Sequence, residues 1–183
     1  MRRYPLAPLG AAAVLLGLCA PAAPAATPDP QQDRTFLAQS HQGNLAEIAA
    51  GKDAGRHATT ACVKEVGRTL VRDHTKLDAA VRKVARETST RLPGTPSAAQ
   101  RKQLEAVRAK AGGPAYDTAW LKAQEKAHRQ TLALIDQELR QGKNSAATAA
   151  ARSARPVVAM HLDMVEGGVC QAHPHPRPSG HQS

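Results

Sequence analysis

The chain has 183 residues with 25 Lys+Arg against 15 Asp+Glu, a formal net charge of +10, and aromatic residues make up 2% of it. That length suits one domain with its own core, and the charge favours polyanionic partners such as the acidic polymers of a cell envelope. The basic residues are spread along the chain, and so few aromatic rings give bases nothing to stack on, which argues against nucleic-acid binding.

Arg2 and Arg3, the apolar run from Leu6 to Ala20 and the small-residue segment from Pro21 to Ala26 follow the order of a removable secretion signal. Residues 1–25 are therefore read as a signal peptide cut after Ala25, and the rest as secreted or held in the cell envelope. The apolar run is shorter than the ~20 residues of a spanning helix, so no transmembrane helix is expected in the mature protein. Cys19 offers lipoprotein anchoring as a weaker alternative, because Leu18 stands before it where a small residue is the norm.

Helical periodicity then runs over residues 33–170, with no alternating strand pattern. Helix A starts at Asp33 as N-cap and runs through Phe36, Leu37, His41, Leu45 and Ile48 to about Ala58, its last turns weakened by Gly51 and Gly55. Helix B carries the stripe Val63, Val66, Leu70, His74, Leu77, Val81 and Val84, and stops near Arg91 because Leu92-Pro93-Gly94-Thr95-Pro96 cannot continue it. Ser97-Ala98-Ala99-Gln100 has the form of a capping box and opens a short helix that Gly112-Gly113 ends. Pro114 starts helix C, with Leu121, Glu125, His128, Leu132, Ile135 and Leu139 in its stripe and Gly142 closing it. Helix D begins near Asn144 or Ser145, is expected to kink at Pro156, and presents Val157, His161, Met164 and Val165 on one side. Residues 171–183, rich in proline and histidine, read as a disordered tail.

These elements make an all-α, four-helix bundle with a short extra helix in a long B to C connection. Cys62 and Cys170 form an even pair in an oxidising compartment and are expected to be a disulfide. In a plain up-down-up-down bundle they would lie roughly 35–40 Å apart at 1.5 Å per residue. They meet only if the B to C connection crosses the length of the bundle, so the bond and a ferritin-like crossover support each other.

His74, His128 and His161 occupy stripe positions where leucine is expected. With Glu47, Asp73 and Glu125 they come at similar depths from the Cys62 end, a pattern that fits a metal site in a bundle core. Imidazole with carboxylate suits Zn, Fe, Mn or Cu. The same set also fits a buried hydrogen-bonded network that binds nothing. His41, Asn44 and Glu47 form a weaker row, and His173, His175 and His181 fall in the tail. No nucleophile elbow or phosphate loop is present, and no residue is read as catalytic.

Leu45-Ala46-Glu47-Ile48, Val63-Lys64, Leu70-Val71-Arg72-Asp73-His74, Leu92-Pro93, Tyr116-Asp117 with Trp120-Leu121, His128, and the segment from Pro156 to His161 together resemble the domain of unknown function 4142 family over about residues 34–166. The resemblance implies a ferritin-like bundle in an exported bacterial protein and no particular activity. A di-iron site of that fold needs two Glu-x-x-His motifs, and only Glu125-x-x-His128 has that form here. The reading preferred at this point is a non-enzymatic module that binds an anionic envelope polymer or a protein partner. The alternative is a ferritin-like protein with a mid-bundle metal site.

Overall fold

The structure, a computed structural model, describes residues 31–172. The expected secretion signal, Cys19 and nearly all of the expected tail lie outside the described residues. Five α-helices follow in order: α1 Gln31–His57, α2 Ala61–Glu87, α3 Ala98–Arg108, α4 Pro114–Gln141 and α5 Ser145–Val165, with a 3-10 turn at Glu166–Gly168. Among the described residues there is no strand, and no helix is long and apolar enough to cross a membrane.

The caps follow local chemistry. Ser97 and Gln100 close a capping box on α3, Pro114 enters the first turn of α4, and the Asn144 side chain accepts from Ala146 N and Ala147 N at the start of α5. Asp33 departs from its expected place as N-cap: it sits inside the first turn of α1, buried, and accepts from the backbone N–H of Lys143 and Asn144 at 2.9 and 3.0 Å. Helix α2 ends at Glu87, before the Leu92-Pro93 break, because Thr88 turns its hydroxyl onto Val84 O and Ser89 takes a φ of 52°. Helix α5 is continuous across Pro156.

Gly51 and Gly55 do not end α1. At Gly51 a Cβ would meet Gly67 O at 2.5 Å and the Val71 side chain at 2.8 Å, so glycine is what lets α1 and α2 cross with their backbones in contact.

The ends of the helices are tied in a definite pattern. Cys62, at the start of α2, is bonded to Cys170, after α5, with Cα atoms 6.1 Å apart. At the same end Asp117, in the first turn of α4, accepts from Thr59 N, Thr60 N and the Thr60 hydroxyl at 2.7–2.9 Å. Asp33 and the connection between α4 and α5 meet at the other end. Helix α4 therefore starts beside the α1–α2 connection, and the segment holding α3 returns along the bundle to reach it.

The core falls into two apolar clusters. The one nearer the disulfide gathers Ala54, Val63, Val66, Leu70, Tyr116, Trp120 and Val165, and the far one gathers Phe36, Leu37, Val81, Val84, Ile135, Ala151 and Val158. Between them lies a layer of buried polar side chains from α1, α2, α4 and α5.

Candidate metal centre

His74, His128 and His161 meet in that layer. They are 2%, 1% and 0% exposed, their ring centroids lie 5.1–5.6 Å apart, and one ring nitrogen from each lies within 4.8 Å of the other two. Their helices bring them there by register: His74 follows Leu70 by one turn, His128 follows Gln124, and His161 lies between Val158 and Met164 on the buried face of α5.

Each ring is fixed by an acceptor on its other nitrogen. His74 Nδ1 donates to Asn44 Oδ1 at 2.9 Å, His128 Nδ1 to Gln124 O at 2.8 Å, and His161 Nε2 to Asp73 Oδ2 at 3.2 Å. An amide oxygen, a backbone carbonyl and a carboxylate only accept, so the proton of each neutral ring sits on that side. The opposite nitrogens, His74 Nε2, His128 Nε2 and His161 Nδ1, carry the lone pairs and have no protein partner.

Burial also keeps the rings neutral. Desolvation, reinforced by the neighbouring imidazoles, holds His74 well below its ordinary value and His128 down at about 3. For His161 burial again lowers the value, against the opposing pull of Asp73. Asp73 is itself clamped by Arg72 through two bonds of 2.8 and 2.9 Å, and this hydrogen bonding holds its carboxyl down at about 2. A chain of Arg72, Asp73 and His161 thus runs from the surface to the centre, the arrangement that commonly orients a metal-binding imidazole.

The other candidates from the sequence are placed around this group and not within it. Asp73 lies behind His161 as its acceptor. Glu47 is buried, with Oε2 unpartnered, but its carboxylate is not among the atoms within 4.8 Å. Burial without a cation pushes its carboxyl up to about 8. Glu125 lies on the flank of α4 and pairs with Arg129 at 3.0 Å, while Gln124 takes the inward position. On α5 the inward valine is Val158, one residue on from the expected Val157.

Sequence reasoning undervalued Asn44 and missed the Gln124 carbonyl, both of which hold a ring. The weak row of His41, Asn44 and Glu47 was the available signal, since all three are buried. His41 bonds Asp78 at 2.6 Å, one turn of α1 from Asn44. Asp53 carries no sequence signal of its own: fully buried, it accepts from Arg108 Nε and the Tyr116 hydroxyl, both at 2.8 Å, and so ties α3 and α4 to α1.

Among the described residues, the buried side-chain atoms without a partner comprise seven oxygens and nitrogens. Five belong to this layer or the turn beside it, on Glu47, His74, Gln124, His128 and His161. Buried polar atoms are ordinarily paired. Such a concentration sets this layer apart from the rest of the core.

No curated protein and no solved structure was found to match the chain. A family model described as a domain of unknown function (DUF4142) matches residues 19–167, most of the chain, and the protein belongs to that family.

Proposed function

We propose that the protein is an exported, metal-binding helical bundle that holds one transition-metal ion on His74 Nε2, His128 Nε2 and His161 Nδ1. The observation that carries this reading is the meeting of three buried, neutral imidazoles whose outer nitrogens are occupied and whose inner lone pairs have no donor. Each unmet buried acceptor costs about 1–3 kcal/mol, and a single cation satisfies all three. A polar network that binds nothing would need donors facing those nitrogens, and none does so among the described residues.

Donors no more than 4.8 Å apart put a common centre within about 2.8 Å of each, so bonds of about 2.0–2.1 Å need each ring to move in by about 0.7 Å. Of Zn, Fe, Mn and Cu, an imidazole set with no carboxylate in the group favours zinc, copper or iron, because manganese prefers oxygen ligands. The single such cluster among the described residues and the outward Glu125 favour one ion over a dinuclear centre. We read the connectivity as a ferritin-like four-helix bundle over residues 33–170, in which the return segment with α3 is the long crossover. A disulfide persists in an oxidising compartment, which fits export by the signal read over residues 1–25.

The envelope-binding module preferred on sequence alone rests on net charge, whereas the metal reading rests on a specific geometry and takes first place. The test is a set of thermal melts of chelator-treated protein with and without Zn(II), Cu(II) and Fe(II). The fitting ion should stabilise the protein by about 2.7 kcal/mol at a hundred times its dissociation constant. That gain should vanish in His128→Ala and His74→Gln and survive in a variant lacking His173, His175 and His181. An equal gain in all of them, or in none, contradicts the proposal.

A further inference from the structure

A second feature of the bundle has its own chemistry. A cavity of about 550 Å³ opens between α1, α3 and α4, within the size range of small-molecule sites. Its walls carry glutamine after glutamine, and among the described residues Glu47 is its only ionisable side chain, although 25 Lys and Arg are available in the sequence.

The hydrogen bonds fix which way several of these amides point. Gln42 Nε2 donates to Thr95 O at 3.1 Å and Gln103 Nε2 to Ala123 O at 3.4 Å. A backbone carbonyl only accepts, so each amide is engaged through its nitrogen and keeps its oxygen as the remaining acceptor on a residue that lines the cavity. Gln100 is turned the other way, its oxygen held by Ser97 N in the cap of α3.

At the inner wall stand Glu47 and Gln124, 6% and 4% exposed, each with a side-chain oxygen that has no partner. They lie level with one another, one turn along from the point where the Trp120 indole N–H bonds Ala50 O. Leu104, Val107 and Leu134 supply an apolar surface beside them.

The cavity therefore presents amide oxygens and a carboxyl with an unpartnered oxygen next to apolar walls. An unpaired buried carboxyl is costly, and a cation carrying several N–H groups removes that cost while satisfying the amide oxygens. We infer that this cavity binds a small organic cation, an alkylammonium or alkylguanidinium. Its charged end bonds Glu47, Gln124 and the Gln42 and Gln103 oxygens, and its alkyl part lies along Leu104, Val107 and Leu134. Glu47 and Gln124 border the histidine layer, and the Gln124 carbonyl holds the His128 ring, but neither is one of the three proposed ligands, so cation and metal binding are separable by experiment.

Isothermal titration of the full-length, chelator-treated protein with n-butylamine, agmatine and neutral n-butanol tests it. The two cations are expected to bind saturably, one per chain, and n-butanol at least about tenfold more weakly, the size of one charge-assisted hydrogen bond. Glu47→Gln, which keeps the shape of the side chain, should weaken the cations about tenfold or more and leave n-butanol unchanged, and Gln124→Leu should weaken them as well. His128→Ala should retain cation binding even where it loses metal. Equal affinity for n-butylamine and n-butanol, cation binding indifferent to Glu47→Gln, or no saturable binding of either cation overturns the inference.

Discussion

Glu47 gives the sharpest prediction about stability. Its carboxyl is buried without a cation, and burial raises it from an ordinary value of 4.5 to about 8. Between those values the folded protein keeps the proton while the unfolded chain releases it, so the unfolded state binds fewer protons and stability falls as pH rises. Each pKa unit is worth about 1.4 kcal/mol, so at pH 7 the burden is about 3 kcal/mol. Replacing Glu47 by Gln removes the titration and keeps the volume. In chelator-treated protein Glu47→Gln should therefore melt higher than the wild type at pH 7 by about 6–12 °C, taking about 2–4 °C per kcal/mol for a chain of this size. The difference should fade to nothing towards pH 4.5 and be largest at pH 8 and above. Calorimetry of both proteins across that range is the assay. A difference that does not change with pH, or a variant less stable than the wild type at pH 8, would refute the account of a stranded carboxyl.

The disulfide joins positions 108 residues apart, so reduction should cost about 4–5 kcal/mol in the chain-entropy model, read as a lower denaturant midpoint with reductant than without. Gly51→Ala should destabilise by about 1–3 kcal/mol because its Cβ would meet Gly67 O at 2.5 Å. Gly43→Ala, with nothing within 4 Å, should stabilise by up to about 1 kcal/mol, both measured by urea unfolding. Asp73→Asn leaves the three imidazoles in place but loosens His161, and should lower metal affinity by about ten- to a hundredfold in competition with a chelator of known strength.

The helices were legible because their signals are local. Val63 through Val84 keep one register, and Ser97 with Gln100, Pro114 and Asn144 carry their own cap chemistry. The Cys62–Cys170 bond followed from parity and compartment, and it was a long-range constraint readable from the sequence. The three histidines stood out because imidazole replaced leucine in an apolar stripe.

What stayed hidden depends on a few degrees of rotation about a helix axis. Gln124 and Glu125 are neighbours, and only packing decides that the amide faces inward while the carboxylate meets Arg129. The shift from Val157 to Val158 on α5 has the same origin. Gly51 read as a weak point because glycine lowers helix propensity, whereas its reason is a neighbour distant in sequence, Gly67. Asp33 looked like a cap because aspartate before an apolar run usually is one. Its true acceptor role is to Lys143 and Asn144, which no local pattern reveals.

The central claim is that His74, His128 and His161 share one metal ion. The most direct measurement is elemental analysis with X-ray absorption spectroscopy on protein purified without an affinity tag and with His173, His175 and His181 replaced. The account predicts one equivalent of zinc, copper or iron per chain, with imidazole scattering from three ligands at about 2.0–2.1 Å for zinc, and loss of that metal in His128→Ala. Sub-stoichiometric metal together with a melt indifferent to chelator would contradict it.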